Sequence, residues 1–331
     1  MPLNELFSFY IRKNLYNNFI LFTKRGNIMK KIAIITGGES KEREISLLSA
    51  KNMFHHFNRE KFEVKMFDFP SEKEKFLQSY QDFDFFIPMI HGVWGEDGAI
   101  TAFLEFVWKK YLFSSSWVHK LCLNKYLSWL FAQNSWFITP KTFLVKTLQD
   151  LEYIDFSGKV FVKPCNWWSS VDNWVFLNIR EARDHISNIL SYDDVLVQEF
   201  IVKQREFTVS IVWDFDKTPK VLAVSEVITQ KEIFDYDAKY KADWATEIVH
   251  ADLEKDLKNE IEKVALSIYT LFQAKAFARI DFIYENEKLY FLEVNTIPGF
   301  TAMSFVPQAI LASGESIWEF LEELININFI D

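Results

Sequence analysis

The chain has 331 residues, of which 49% are hydrophobic and 25% charged, as is ordinary for a globular protein that buries a large core. Its formal net charge of −9 gives no electrostatic reason to expect a nucleic-acid or membrane partner. The two cysteines, Cys122 and Cys165, form neither a CxxC pair nor a disulfide framework, so we expect a reduced, cytoplasmic protein.

Residues 1–28 precede the first regular element that the sequence predicts. Their apolar runs are short and are broken by Arg12, Lys13 and Asn17, so they fit neither a signal peptide nor a membrane span. We interpret this segment as a spurious or disordered extension, with Met29 as the true start. The alternative is a genuine, loosely attached extension.

An alternation of strands and helices follows Met29. Short apolar runs predict strands at Ile32–Thr36, Phe62–Phe67 and Phe85–Ile90, and Ser46–Phe57 has helical spacing. This βαβ order predicts a parallel sheet with helices on its faces. Further along the chain we expect strands at Val160–Pro164 and Val195–Phe200 and a helix at Lys255–Phe272. Breaks near residues 113 and 203 predict three lobes, at 29–113, 114–203 and 204–331.

A predicted β-hairpin near the C-terminus carries the strongest chemical signal. Two apolar segments, 278–284 and 288–295, flank the polar stretch 285–287, which suits a three-residue loop. We pair Tyr284 with Lys288 across this loop. The strand alternation then sets which side chains share a face.

In that register Asp281 faces Phe291 and Arg279 faces Glu293. One face of the hairpin then carries four polar side chains, those of Arg279, Asp281, Glu293 and Asn295. Two carboxylates and an amide oxygen are hard ligands that suit Mg²⁺, and the arginine can balance the charge of a phosphate or an oxyanion. The alternative is a polar, solvated sheet face.

Weaker signals occur earlier in the chain. Lys163 ends a strand and precedes the small polar residues 169–170, which suits phosphate binding, although a surface turn explains it equally well. Glu199 and Glu206 follow another strand, where backbone groups could bind adenine and a carboxylate could bind ribose hydroxyls, although acidic residues are common at strand ends. Glu42 lies near a helix start and could meet an ammonium group or only cap the helix.

Taken together and in this order, these segments resemble the D-alanine–D-alanine ligases of the ATP-grasp superfamily. The similarity runs from about residue 30 to 327 and rests on the motifs GGESKEREIS, HG..GEDG, LCLNKY, VKP…SS, FDYDAKY, ARIDF, FLEVNTIPGFT and MSFVPQA. The resemblance implies an α/β, ATP-grasp fold of three lobes, with a Rossmann-like parallel sheet in the N-terminal domain. It also implies ligation of two D-alanines through an acyl-phosphate, for peptidoglycan precursor synthesis. ATP and two Mg²⁺ ions, with Mn²⁺ as the alternative metal, would be required, and the chain would form a homodimer.

The resemblance assigns a role to each matched residue. The ATP-binding group is Lys125, Lys163, Trp167, Trp168, Glu199, Glu206 and Lys239, and the metal ligands are Asp281, Glu293 and Asn295. The catalytic group is Glu42, Ser169, Tyr240, Arg279, Gly299 and Ser304.

Within the catalytic group, Arg279 and the Gly299 amide would stabilise the tetrahedral oxyanion, and Ser304 would bind the carboxylate of the second substrate. Glu42 would hold the ammonium of the first substrate, near His91. Glu42 would also join Ser169 and Tyr240 in a hydrogen-bonded triad that closes the loop Phe234–Tyr240 over the site.

The resemblance leaves the identity of the second substrate open. Related ligases use D-lactate or D-serine in place of the second D-alanine. Tyr240, in FDYDAKY, favours D-alanine, because the depsipeptide-forming members lack that Lys-Tyr pattern. A different alternative is a catalytically dead nucleotide-binding homologue.

Tryptophans stand where the family has glycines. Trp94 interrupts HGxGGEDG, Trp167 and Trp168 occupy the phosphate loop, and Trp174 follows it. Five more tryptophans fall in turn-like contexts, namely Trp108, Trp136, Trp213, Trp244 and Trp318, whereas Trp117 and Trp129 are less diagnostic.

The chain has 11 tryptophans but only 9 glycines, a glycine content of about 3% against a typical 7%. We hypothesise that the source genome reads UGA as glycine and that the written tryptophans are translation artefacts. Real tryptophans in a diverged pseudoenzyme are the alternative, and the DNA codons at the eleven positions distinguish the two.

Overall fold

A computed structural model describes residues 29–166, 172–213, 216–229 and 245–329. These residues form a mixed α/β fold with three separate sheets, one parallel and two antiparallel. Several sequence predictions lie outside the described residues: the extension 1–28, Trp167, Trp168, Ser169, Lys239, Tyr240 and Trp244.

The first sheet is parallel and has the strand order β2-β1-β3-β4. Its elements are β1 (Lys30–Gly37), α1 (Arg43–His56), β2 (Phe62–Phe69), α2 (Lys73–Ser79), β3 (Phe85–Pro88), α3 (Ala99–Phe106) and β4 (Lys110–Tyr111). The predicted βαβ order is confirmed. The apolar run Ile32–Ile35 has no exposed surface, as expected of a parallel strand covered on both faces. Strand β3 ends earlier than predicted, at Pro88, which has no N–H to continue the ladder.

The second sheet is antiparallel, with the order β5-β8-β6-β7. Two helices precede it, and one lies within it: α4 (Ser116–Leu123), α5 (Lys125–Gln133), β5 (Thr142–Val145), β6 (Val160–Pro164), β7 (Trp174–Phe176), α6 (Arg183–Ile189) and β8 (Val195–Glu199). The predicted strands at 160–164 and 195–200 are present. Strand β6 carries Lys163 near its end, and β8 ends on Glu199, which pairs with Val160 at the start of β6.

The third sheet is antiparallel, with the order β11-β10-β9-β12-β13. Its elements are β9 (Arg205–Trp213), β10 (Pro219–Thr229), β11 (Ala245–Ile248), α7 (Lys255–Leu271), β12 (Phe277–Glu285) and β13 (Lys288–Asn295), followed by α8 (Phe305–Ala312) and α9 (Ile317–Phe329). Helix α9 returns to the first sheet, where Leu321 and Leu324 are buried in one cluster with Ile32 and Ile34. None of the described helices combines the length and the apolar content that a membrane crossing requires.

The hairpin of β12 and β13 has a different register from the one predicted. Its turn has two residues, Asn286 and Glu287, both with positive φ, and Glu285 pairs with Lys288. A β-bulge between Asp281 and Phe282 then shifts the register once more. Asp281 therefore lies opposite Glu293, not Phe291.

By the same shift Arg279 lies opposite Asn295, not Glu293. Directly opposed residues of antiparallel strands point to the same face, so these four polar side chains share one face, as predicted. The bulge decides this outcome, because the register at the turn alone would pair Asp281 with Leu292 and leave Glu293 on the other face.

Three tryptophans in the described residues have the left-handed backbone that favours glycine. Their φ angles are 79° at Trp94, 57° at Trp108 and 70° at Trp136. Trp108 follows α3, where Lys109 N–H bonds the Leu104 carbonyl (2.9 Å). This six-to-one bond defines the Schellman helix ending, whose left-handed residue is usually glycine.

Trp136 has the same setting after α5, where Phe137 N–H bonds the Ala132 carbonyl (3.1 Å). Trp108 and Trp136 are 93% and 94% exposed, so neither indole gains packing that offsets the backbone strain. Trp129 is different, since it is buried within α5 and its indole N–H donates to the Leu292 carbonyl at 2.6 Å. The recoding hypothesis thus gains support at the two helix ends and at Trp94, and none at Trp129.

We predict that Trp108→Gly and Trp136→Gly each raise the free energy of unfolding by about 1–2 kcal/mol, because glycine adopts left-handed φ without a Cβ clash. Chemical denaturation of each variant against the parent chain measures this change.

Trp129→Gly is the control and should lower stability, because it removes a buried side chain. Loss of stability in the Trp108 and Trp136 variants would show that these indoles do make stabilising contacts.

Candidate active site

A cavity of about 720 Å³ opens between the three sheets. It is lined by every described residue to which the sequence assigned a role: Glu42, His91, Lys125, Lys163, Glu199, Glu206, Arg279, Asp281, Glu293, Asn295, Gly299 and Ser304. These residues span more than 260 positions of the chain, so only the folded arrangement brings them together. The five predicted residues Trp167, Trp168, Ser169, Lys239 and Tyr240 are not among those that the structure describes.

The hairpin face is charge-balanced by neighbouring cations. Arg279 Nε and Nη2 each donate to Asp281 at 2.9 Å, and the Thr208 hydroxyl donates to the same carboxylate at 2.8 Å. Lys125 Nζ lies 3.9 Å from Glu293 Oε2, and both side chains are mostly buried. Such burial without a partner would strongly disfavour these carboxylates in their charged form. Arg279 and Lys125 therefore compensate the negative charge of the Asp281 and Glu293 carboxylates, a task that bound Mg²⁺ would share.

The donor atoms of this face fit Mg²⁺. Asp281 and Glu293 supply carboxylate oxygens directly opposite each other, and Asn295 supplies an amide oxygen, which also accepts the Ile297 N–H at 3.1 Å. In the described part of the chain no three His, Cys, Asp or Glu side chains form a metal-binding group. With only two carboxylates, the remaining ligands would be phosphate oxygens and water, which is the usual arrangement for Mg²⁺.

The side of the cavity formed by β6, β8 and β9 suits a nucleotide. Lys163 is buried, and its ammonium lies 4.5 Å from the centre of the Trp129 ring. Glu206 pairs with Lys203 at 2.7 Å, and both are mostly shielded from solvent. Glu199 accepts the backbone N–H of Lys141 at 2.7 Å. These groups provide positive charge for phosphates and carboxylates for hydroxyl groups.

The opposite side carries groups suited to an amino acid. Glu42 lies at the N-terminus of α1, and His91 is buried near it. Burial lowers the pKa of His91, and so does Arg279, whereas the Glu42 carboxylate and the Ile297 carbonyl raise it.

Gly299 closes the other end of this side. A Cβ atom at Gly299 would lie 3.0 Å from Ser304 Oγ, a tight contact that a larger residue could make only if the serine side chain moved by a few tenths of an ångström. Ser304 Oγ in turn accepts the Thr301 N–H at 3.0 Å. Gly299 and Ser304 line the same cavity as Arg279.

Comparison with known proteins identifies the family. The family description "D-ala D-ala ligase C-terminus" matches residues 122–326, and "D-ala D-ala ligase N-terminus" matches residues 31–80. D-alanine–D-alanine ligase B of Clostridium perfringens is 33% identical over 299 residues, which cover 89% of this chain and 97% of that protein. This chain is a member of the D-alanine–D-alanine ligase family.

Solved structures agree with this membership. A D-alanine–D-alanine ligase from Bacillus anthracis complexed with ATP superposes with a TM-score of 0.77 at 25% identity, covering 91% of this chain and 97% of that one. A D-Ala:D-Ser ligase from Enterococcus faecalis also gives a TM-score of 0.77 at 25% identity, covering 91% and 99%.

Sequence reasoning assigned no role to several residues that line the cavity of this ligase-family chain. Glu96 follows the His91 turn and accepts the Gly92 N–H at 2.8 Å, and His119 lies in α4. Glu96 lies in the GEDG motif, but the motif alone does not indicate that this carboxyl group is buried in the fold. His119 is a single histidine in an apolar helix, and no spacing pattern marks it.

The buried carboxyl group of Glu96 is a weaker acid than an ordinary glutamate. Burial raises the pKa of Glu96 to about 8, and the Glu42 carboxylate adds to the rise, whereas the Gly92 amide and Lys125 oppose it. Between the ordinary carboxyl pKa of 4.5 and this value, the folded chain holds a proton that the unfolded chain has released. The contribution of Glu96 to stability therefore falls as pH rises through this window.

We predict that Glu96→Gln removes the decrease in stability that the parent chain shows as pH rises. The amide keeps an oxygen that accepts the Gly92 N–H, but it cannot ionise. The variant should gain more than about 1 kcal/mol of unfolding free energy relative to the parent between pH 5 and pH 8, since one pKa unit corresponds to about 1.4 kcal/mol.

Urea unfolding of both proteins at several pH values measures the difference. Gln81→Asn, an uncharged change at an exposed position, is the control. Parallel pH profiles for the parent and Glu96→Gln would contradict the assignment of the raised pKa.

We predict that Asp281→Asn and Glu293→Gln each lower ATP-dependent ligation at least about a hundredfold, because phosphate charge would lack compensation in the cavity. Phosphate release in the presence of D-alanine measures the activity, and circular dichroism confirms the fold.

Glu287→Gln, the same type of change in the exposed turn of the same hairpin, should leave turnover unchanged. Near-normal turnover of Asp281→Asn at ordinary Mg²⁺ would remove Asp281 from the metal site.

Proposed function

We propose that the chain joins two molecules of D-alanine, with conversion of ATP to ADP and phosphate, to form D-alanyl-D-alanine for peptidoglycan precursor synthesis. The observation that carries this proposal is the single cavity in which phosphate-binding lysines, a magnesium-type oxygen face and amino-acid-binding groups meet. Each set matches one component of the reaction, and family membership supports the same activity.

A carboxylate is a poor electrophile, so the first D-alanine must be activated. Its carboxylate oxygen attacks the γ-phosphorus of ATP, the bond to the β-phosphate oxygen breaks, and an acyl-phosphate and ADP result. Lys125 and Lys163 would hold the phosphates during this step, and Glu42 would hold the substrate ammonium. Bound Mg²⁺, or Mn²⁺ in its place, would supply positive charge against the phosphate oxygens.

The second D-alanine then attacks the acyl carbon through its neutral amine. The carbonyl oxygen gains negative charge in the tetrahedral intermediate, and Arg279 and the Gly299 amide would stabilise it. Phosphate leaves, and the amide bond forms. Ser304 would bind the carboxylate of this second substrate, which orients its amine toward the acyl carbon.

Water must be excluded during this sequence, because acyl-phosphates hydrolyse. We assign that task to the segment Phe234–Tyr240, with Lys239 over the γ-phosphate and with Tyr240 and Ser169 joined to Glu42. These positions lie outside the described residues, as do Trp167 and Trp168, which we place at the ATP phosphates. Their roles stay predictions.

A ligase for D-serine as the second substrate is the second candidate. The D-Ala:D-Ser ligase of Enterococcus faecalis resembles this chain as closely as the Bacillus anthracis enzyme does, with the same TM-score of 0.77. The two activities differ in the second substrate, whose carboxylate we place at Ser304. The Lys-Tyr pattern in FDYDAKY favours D-alanine over D-lactate, and relatives such as the D-alanine–D-alanine ligase B of Clostridium perfringens favour D-alanine over D-serine.

We extend the proposal to the organisation of the protein. The parallel sheet and the two antiparallel sheets support a three-lobed ATP-grasp arrangement divided near residues 113 and 203, with ATP between the second and third sheets. We also propose that the protein is a cytoplasmic homodimer. The tryptophans at helix ends support recoding of UGA as glycine, and genuine tryptophans throughout would favour a catalytically dead homologue.

We predict that protein carrying glycine at the eleven tryptophan positions forms D-alanyl-D-alanine from ATP and D-alanine, with one phosphate released per dipeptide. D-lactate at neutral pH should be a poor second substrate. Chromatography of the products, together with phosphate release, measures both.

The chain as written, with tryptophan at all eleven positions, is the comparison. Efficient use of D-serine or D-lactate would move the assignment to the second candidate or to a depsipeptide ligase. Absence of any ATP turnover in both proteins would favour the dead homologue.

A further inference from the structure

A buried histidine contacts the loop that follows the metal-site hairpin. His119 lies in the middle of α4 and has no exposed surface, and its Nδ1 atom is 2.6 Å from Thr296 Oγ1. Thr296 is also buried and directly follows Asn295. The contact joins segments that are 177 positions apart in the chain.

The helix on the histidine side leads directly to the phosphate-binding lysine. Helix α4 ends at Leu123, and Asn124 caps the next helix by accepting the Leu127 N–H at 2.9 Å. Lys125 is the first residue of that helix. The position of His119 is therefore coupled to that of Lys125 through one helix end and a single capping residue.

The loop on the threonine side carries the metal and oxyanion groups. It begins at Asn295 and reaches Gly299, and the next residue, Phe300, donates its N–H to Ser49 Oγ at 2.9 Å. Within the described residues the Thr296 hydroxyl bonds the His119 ring. The far end of the loop is thus anchored at Ser49 and its near end at His119.

The histidine is electrically neutral at its position. Burial lowers the pKa of His119 to about 3, although the Glu105 carboxylate and the Ser114 carbonyl act in the opposite direction. A neutral imidazole can hold the threonine hydroxyl without adding positive charge beside a cation site. A lysine or arginine at this position would instead repel Mg²⁺.

We propose that His119 is a positioning residue for the ligation reaction, which through Thr296 fixes Asn295 and the Gly299 amide relative to Lys125. The inference rests on the proposed function of this cavity. In the part of the chain that the structure describes, the side-chain hydrogen bond of His119 is to Thr296 and not to a proposed ligand of the metal or phosphates, so we infer that it acts through Thr296. Residues that orient metal ligands typically change metal affinity or activity by about 10–100-fold when they are replaced.

Four variants test the contact in the full chain. His119→Leu and Thr296→Val remove it with little change of volume. His119→Asn and Thr296→Ser preserve it, because the asparagine amide occupies nearly the position of Nδ1 and serine keeps the hydroxyl. The readouts are kcat and KM for dipeptide formation, and the affinity for Mn²⁺ in the presence of ADP, followed by electron paramagnetic resonance.

We expect His119→Leu and Thr296→Val to lower kcat and to weaken Mn²⁺ binding, each at least about tenfold. The KM for ATP should change less than about twofold, because Glu199 and Glu206 are untouched. His119→Asn and Thr296→Ser should keep kcat and the Mn²⁺ affinity within about threefold of the parent values. The double variant His119→Leu/Thr296→Val should be no worse than either single variant, because both remove one interaction.

Two outcomes would overturn the inference. The first is unchanged kcat and Mn²⁺ affinity in His119→Leu and Thr296→Val. The second is a loss of kcat and Mn²⁺ affinity in His119→Asn and Thr296→Ser that matches the loss in the Leu and Val variants although the proteins are folded. If His119→Leu does not fold, Thr296→Val alone decides, since it changes the loop and leaves the helix intact. A parent protein that binds Mn²⁺ with ADP but forms no dipeptide would refute the proposed function. In that case equal Mn²⁺ affinity in all variants would separately refute the role of His119.

Discussion

The β-bulge after Asp281 is the constraint on which the candidate site depends. An antiparallel hairpin places directly opposed residues on the same face, so one extra residue in one strand moves every following side chain of that strand to the other face. Without the bulge, Asp281 would face the cavity while Glu293 and Asn295 pointed into the core. With it, the polar residues of both strands share the cavity face. Phe282 and Phe291, on the turn side of the bulge, remain opposed within the core.

Hydrogen bonds from outside the sheet stabilise the backbone at the bulge. Trp129 donates its indole N–H to the Leu292 carbonyl, and Phe291 donates its N–H to the Ile138 carbonyl. An interrupted ladder leaves backbone groups that need other partners, and helix α5 and the segment after it supply them. The cavity face of the hairpin is therefore supported from outside its own sheet, and the segment after α5 continues to Pro140, which also lines the cavity.

The sequence predicted the members of the site better than their geometry. Motif order identified Glu42, Lys125 and Ser304 as members of one cavity, because such motifs specify chemistry independently of distance. It did not predict the two-residue turn or the bulge, because pairing register depends on backbone geometry that alternation of apolar residues does not encode. It also gave no role to His119, since a buried histidine in an apolar helix has the same local pattern whether or not it contacts a loop 177 positions away.

The tryptophans separate into two groups when backbone conformation is considered alongside packing. Trp108 and Trp136 adopt left-handed φ at Schellman helix ends and are almost fully exposed, so their positions have the properties of glycine sites. Trp129 has the properties of a core residue, because its indole is buried, bonds the bulge and lies beside the Lys163 ammonium. A glycine there would leave the Leu292 carbonyl without this donor and open space next to Lys163. Uniform recoding therefore has opposite effects at the two kinds of site, since it relieves backbone strain at the helix ends and removes one ring contact of Lys163 and one hydrogen bond to the Leu292 carbonyl.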